Sequence, residues 1–227
     1  MNSQISFKKY LLICAIGFGI GGMVWGLIIF LIGVSAEEAF SIPFSYIFGA
    51  VAAGILCGIP ISVFFSKNIK NILKIELLGT TGFILSFLIT GILSYYSFFI
   101  GSTILSIFTR LLGISDITVN EFINLDPSLV VGDLWLSFMI AGFIIGAFYA
   151  LGLKTKILPM VWRGGIGFGL GSLLGPIIGN LFGNLFNSLL ASYLIAFAVI
   201  GAILGLFLAW GAYINIKNQK SKLQTKI

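Results

Sequence analysis

Few residues in this chain could do chemistry. Its 227 residues include no histidine, so there is no imidazole base, no histidine metal ligand and no Ser-His or Cys-His dyad. Cys14 and Cys57 both fall inside apolar runs. Two thiols are too few for a zinc or iron-sulfur site, and free cysteine usually packs as a small hydrophobe. Gly17, Gly19 and Gly22 match G-x-G-x-x-G by spacing. That pattern binds dinucleotides only between a soluble strand and a helix, and here it is embedded in a hydrophobic stretch. With no P-loop, no acid pair and no nucleophile beside a base, the sequence supports neither an enzyme nor a cofactor.

Two sets of residues remain. The first is a series of small and polar groups, Gly167, Gly171, Gly175, Pro176, Gly179, Asn180, Gly183 and Asn184. Its glycines recur every four residues, which returns close to one helix face and leaves a groove without side chains. Proline inside a helix removes one backbone bond and favours a kink, and an amide in hydrocarbon seeks a partner. This set reads as a helix-packing face or the lining of a narrow path. The second set is Arg110, Asp116 and Asp133, in a mixed-charge stretch where Arg110 sits among Ile104, Leu105, Ile107, Phe108, Leu111 and Leu112. It reads as a short interfacial amphipathic helix followed by an acidic loop, with a cation-attracting vestibule or a partner-docking lid as its functional form.

The elements that position these residues follow from composition. Apolar residues make up 59% of the chain and charged residues only 9%, with a mean hydropathy of +1.13. A soluble domain carries about a quarter charged residues, so this chain is expected to be an all-α, polytopic integral membrane protein forming a single membrane domain over 1–227. A bilayer core of about 30 Å takes about 20 residues of helix. Spans are expected at about 10–33, 42–65, 76–100, 133–153, 160–183 and 189–213, with an outer loop at 101–132 and a tail at 214–227. The last two spans are separated because residues 164–216 carry no charge and as one helix would run about 80 Å. Asn184, Asn187 and Ser188 place the bend.

Charge supports the even count. Of the 13 Lys and Arg residues all but Arg110 fall on one side of a six-span arrangement, and of the 7 acids all but Glu76 fall on the other. The positive-inside rule then puts both termini in the cytoplasm and the protein in the cell membrane. The net charge of +6 reports this orientation and not nucleic-acid binding. Lys8 and Lys9, an apolar stretch and Val34-Ser35-Ala36 resemble a cleavable signal peptide, but the stretch is longer than the 7–15 residues typical of a signal core, so the first helix is expected to be retained.

An internal duplication is visible. Residues 16–21 read Ile-Gly-Phe-Gly-Ile-Gly and residues 166–171 read Ile-Gly-Phe-Gly-Leu-Gly. Tyr46, Gly54, Gly58 and Asn68-Ile69-Lys70-Asn71 correspond to Tyr193, Gly201, Gly205 and Asn215-Ile216-Lys217-Asn218. Ala141-Gly142 and Gly146 give the middle pair of helices a weaker copy of Ala53-Gly54 and Gly58. The expectation is three tandem helical hairpins with glycine-zipper packing, related by an axis along the membrane normal, a parallel and not an inverted repeat.

No expected span carries an acid or base near its centre, which argues against a carrier coupled through a buried carboxylate. Two functions stay open: a small transport-type protein (a channel, a permease or the membrane subunit of a transporter) for a neutral or small solute, and a structural or assembly subunit of a membrane complex. The expected partners are the lipid bilayer and, through the glycine faces, a second copy or other membrane subunits, with no nucleic acid.

Overall fold

The computed structural model describes the backbone of residues 7–33, 41–66, 68–111 and 135–224, and the side chains of 7–31, 48–66, 68–90 and 135–215. The described residues form six helices, α1 (Phe7–Gly33), α2 (Ser41–Phe65), α3 (Ile69–Leu111), α4 (Trp135–Leu153), α5 (Ile157–Phe186) and α6 (Leu189–Gln224). All six are long and apolar enough to cross a membrane. The chain is a multi-pass membrane protein by this measure of length and composition.

Both faces of these helices are apolar. On α1, Tyr10, Cys14, Phe18, Trp25 and Ile29 are buried, while Leu12, Ile16, Ile20, Met23, Leu27 and Leu31 point outward. α5 repeats the pattern, with Met160 and Phe168 inside and Leu158, Trp162, Ile166, Leu170, Ile177, Leu181 and Leu185 outside. An amphipathic helix of a soluble protein would turn charged residues to that outer side. Lipid tails accept the apolar face and offer no hydrophobic gain for helix association, so the bundle is held by close contact and by polar groups satisfied inside it.

Each helix packs against its neighbours in the chain, and α6 returns to α1, which closes the six into a ring. Side chains at the tightest approaches are absent: a Cβ at Gly142 would strike the Gly164 carbonyl, one at Gly201 the Phe18 carbonyl and one at Gly22 the Phe197 carbonyl. Three buried hydroxyls are satisfied within their own helices. Ser86 donates to the Phe83 carbonyl at 2.7 Å, Thr90 to Ser86 at 2.7 Å and Ser172 to Gly169 at 2.8 Å. Where water is absent, such bonds to the preceding turn keep a hydroxyl from being stranded.

Two helices outrun their expected spans. α3 begins at Ile69, where the Asn68 Oδ1 accepts the Lys70 N–H at 3.0 Å as a helix cap, and continues to Leu111 without a break. Its 43 residues measure about 65 Å. Residues 101–111, expected to open the outer loop with a separate interfacial helix, are the end of α3. α6 likewise carries the expected tail as helix as far as Gln224. The bend before α6 falls at Asn187, which takes a left-handed conformation (φ 47°) and donates its N–H to the Asn184 and Gly183 carbonyls. That conformation suits asparagine better than most residues.

Candidate functional site

The early start of α3 changes the position of one residue. Glu76 was expected at the edge of its span, but it is the eighth residue of α3 and lies inside the apolar segment Ile69–Thr90. Ile75 beside it is buried under Gly152 of α4, so Glu76 faces α2. There it meets Gly58 and Ser62, one helical turn apart. A Cβ at Gly58 would run into the carboxyl group, with Cδ at 2.7 Å and Oε1 at 2.8 Å. The Ser62 hydroxyl is fully buried, 3.2 Å from Glu76 Oε2 and 3.1 Å from the Ile59 carbonyl. Oε1 is buried with no hydrogen-bond partner among the described residues.

Three helix contacts can be set side by side. Gly142 of α4 meets the Gly164 carbonyl of α5, Gly205 of α6 meets the Cys14 carbonyl of α1 at 2.7 Å, and Gly58 of α2 meets the Glu76 side chain of α3. Two of these contacts place backbone against backbone. The third holds an ionisable group two turns into α3, past the exposed Lys70 and Lys74, and packing alone gives no reason for it.

More polar groups gather at this end of the bundle. Tyr149 of α4 is fully buried, its ring 2.7 Å and its hydroxyl oxygen 2.8 Å from where a Cβ would stand on Gly79. That hydroxyl has no hydrogen-bond partner among the described residues, and it lies within electrostatic reach of Cys57, Glu76 and Cys14. The Cys57 thiol contacts the Phe18 carbonyl at 3.8 Å. Tyr10, beside Cys14, stacks on Phe64 at 4.0 Å, and the buried Asn215 amide nitrogen is also without a partner. Buried polar groups are normally paired, so several unsatisfied ones in a small volume mark a place where the protein has another use for them. Among the described residues no group of three His, Cys, Asp or Glu side chains is placed to hold a metal ion.

The interior of the other half is filled. Trp25 packs on Phe87 at 4.4 Å and Phe197 at 4.9 Å, and Phe138 meets Phe168 at 5.0 Å, edge to face. A small void between these rings and Cys57, lined by Ala53, Phe83, Ile200 and Leu204 among others, is almost wholly apolar. A cavity with so few polar partners stays dry.

The residues singled out from sequence are placed as follows. The glycine face of α5 lies against α6: Gly167 against Phe207, Gly171 against Ile200, Gly175 against Ala196 and Ile200, and Gly179 and Gly183 against Ser192. Pro176 is buried and α5 runs through it unbroken. Asn180 finds a partner, since Ser192 donates to its Oδ1 at 3.0 Å. Asn184 is exposed near the bend. Arg110 is on α3, but its side chain lies outside the described residues, as do Asp116 and Asp133 and the Val34-Ser35-Ala36 segment. Gly164, Gly165 and Gly169, on another side of α5, face Gly142, Phe143 and Met139 of α4.

Glu76 was missed because Lys67, Lys70 and Lys74 pull the apparent span boundary forward to it. The signal that finds it is Asn68, a helix-capping residue ahead of Ile69, which starts the helix two turns earlier. No family model, curated protein or solved structure matches the chain.

Proposed function

We propose that this chain is a small transport-type protein of the cell membrane, built as three tandem helical hairpins packed through glycine zippers with both termini cytoplasmic, and that its working site is the Glu76 pocket between α2, α3 and α4. The observation that carries this reading is the carboxyl group inside an apolar span, bonded to Ser62 on one oxygen and unpartnered on the other. Ionisable groups within membrane helices usually mark ion or substrate routes. The α5 glycine face fits a packing role better than a path, since α6 occupies it. The duplication also gains support: Gly17 approaches Pro60 and Gly21 approaches Ala53 and Cys57 much as Gly167 approaches Phe207 and Gly171 approaches Ile200, positions that correspond in the two copies.

The filled aromatic half favours the alternative, a structural or assembly subunit with no transport of its own. Liposomes containing the purified protein separate the two. Stopped-flow light scattering against a series of small neutral solutes and monovalent salts should show protein-dependent volume changes, and these should fall to the empty-liposome rate in a folded Glu76→Gln variant. Wild-type protein that is folded, leaves every rate at the control value and co-purifies with another membrane protein would establish the assembly role instead.

A further inference from the structure

We infer that Glu76 is a reversible proton site, with Ser62 as the hydrogen-bond switch that accommodates both of its charge states; this rests on the transport reading and gives it a coupling ion. The argument begins with the Ser62 hydroxyl, which carries one proton and has two acceptors in reach, the Ile59 carbonyl at 3.1 Å and Glu76 Oε2 at 3.2 Å. A single O–H donates fully to only one of them. When Glu76 is a carboxylate, Ser62 turns its proton to Oε2. When Glu76 is protonated on Oε2, the new O–H donates to Ser62 Oγ, and Ser62 turns its own proton to Ile59. One proton arrives, one O–H bond forms at Oε2, one hydroxyl rotates and no heavy atom has to move.

The pocket suits a proton better than a metal ion. A hard cation needs about six oxygen ligands, whereas the pocket shows one carboxyl and two hydroxyls. Gly58 and Gly79 clear the space around the carboxyl and around the Tyr149 hydroxyl, which is a fully buried donor without a partner. The other groups facing the pocket are Cys57 on α2, within electrostatic reach of Glu76, and Cys14 on α1, within reach of Tyr149 and beside Tyr10. Lys70 and Lys74 precede it on α3 and are exposed. Lys154 follows Gly152, which packs on Ile75. Ser62 and Tyr149 are enclosed and Glu76 is half-buried, so the residue stands at the edge of the pocket with its Oε1 inside, and a proton reaches it from that edge.

Infrared difference spectroscopy of the protein in lipid tests this without any transported solute. The wild-type spectrum minus that of Glu76→Gln should contain a protonated-carboxyl C=O band that vanishes reversibly as pH is raised. Ser62→Ala should move the band to higher frequency, because it loses its hydrogen bond, and leave it titratable. If Glu76→Gln does not fold, the wild type minus Ser62→Ala spectrum carries the same band as a paired shift. In pyranine-loaded liposomes under a potassium diffusion potential, proton entry should fall to the empty-liposome rate in Glu76→Gln. The absence of a difference band at every pH, or a band that does not titrate, overturns the proton site. So does a band removed at constant pH by sodium or lithium. A titrating band in a protein that moves neither solute nor proton leaves the site standing and overturns the transport reading.

Discussion

The two halves of the bundle interior are built on opposite rules. Around Trp25, five aromatic rings from five helices fill the space edge to face, and the nearby hydroxyls of Ser86, Thr90 and Ser172 are tied back to their own helices. Around Glu76, side chains are pared away at Gly58 and Gly79, and Glu76 Oε1 and the Tyr149 hydroxyl are left without hydrogen-bond partners among the described residues. Both halves are built from the same helices, with the polar one at the end where Lys8, Lys9, Lys70 and Lys74 lie. A packed aromatic layer supplies shape and stability, and a polar one gives up stability for groups that can change partners. Natural proteins tolerate such losses mainly where function requires them.

The largest effect expected from this contrast is on stability, in the aromatic half. Trp25 is 2% exposed and touches rings on four other helices, so Trp25→Ala should cost about 3–5 kcal/mol, the usual loss for a large buried ring. Unfolding in mixed micelles measures it. The Glu76 carboxyl band should survive wherever the variant still folds, because no part of the Trp25 cluster touches that residue. A loss well under about 1 kcal/mol would mean that the rings do not hold the ring of helices together, and the contrast between the halves would fail.

This division was only partly legible in the sequence. The number of helices and the bend at Asn187 could be read because unbroken apolar runs and turn-forming residues are local signals. The closing of α6 onto α1 could not, since Gly201 and Phe18 are far apart in the chain and both simply look apolar. The α5 glycines announced a close approach, but spacing does not say which neighbour makes it, and α6 took the face that had been read as a possible path. Glu76 was hidden for a different reason. Lysines on both sides of Asn68 made the start of α3 look like a loop, and a charge near a loop looks ordinary. The reach of α3 past residue 100 was obscured in the same way by Gly101 and by Arg110 farther on.

A smaller effect with the opposite sign is expected in the polar half. The Tyr149 hydroxyl is buried without a hydrogen bond, and leaving such a group unpaired costs about 1–3 kcal/mol. Tyr149→Phe keeps the ring against Gly79 and Phe18 and removes only that oxygen. The variant should therefore be more stable than the wild type by about 1 kcal/mol in the same unfolding measurement, while proton entry in liposomes falls. Gain of stability with loss of activity is the signature of a group retained for use. A destabilised variant would show that the hydroxyl has a partner in the folded membrane protein, and the polar half would then be no less satisfied than the aromatic one.

The smallest effect concerns the face that the sequence first brought forward. Ser192 of α6 donates to Asn180 at 3.0 Å, and its Cβ lies 2.7 Å from where a Cβ would stand on Gly183. Ser192→Ala keeps that Cβ packing and removes only the hydrogen bond, which between membrane helices averages about 0.6 kcal/mol. A loss of about that size in micelle unfolding, with unchanged liposome rates, is the result for a packing face whose partly exposed amide can rotate to another donor near the bend. If solute flux falls while stability holds, then Asn180 and the α5–α6 contact belong to the route, and the working site extends beyond the Glu76 pocket into the helix that carries Pro176.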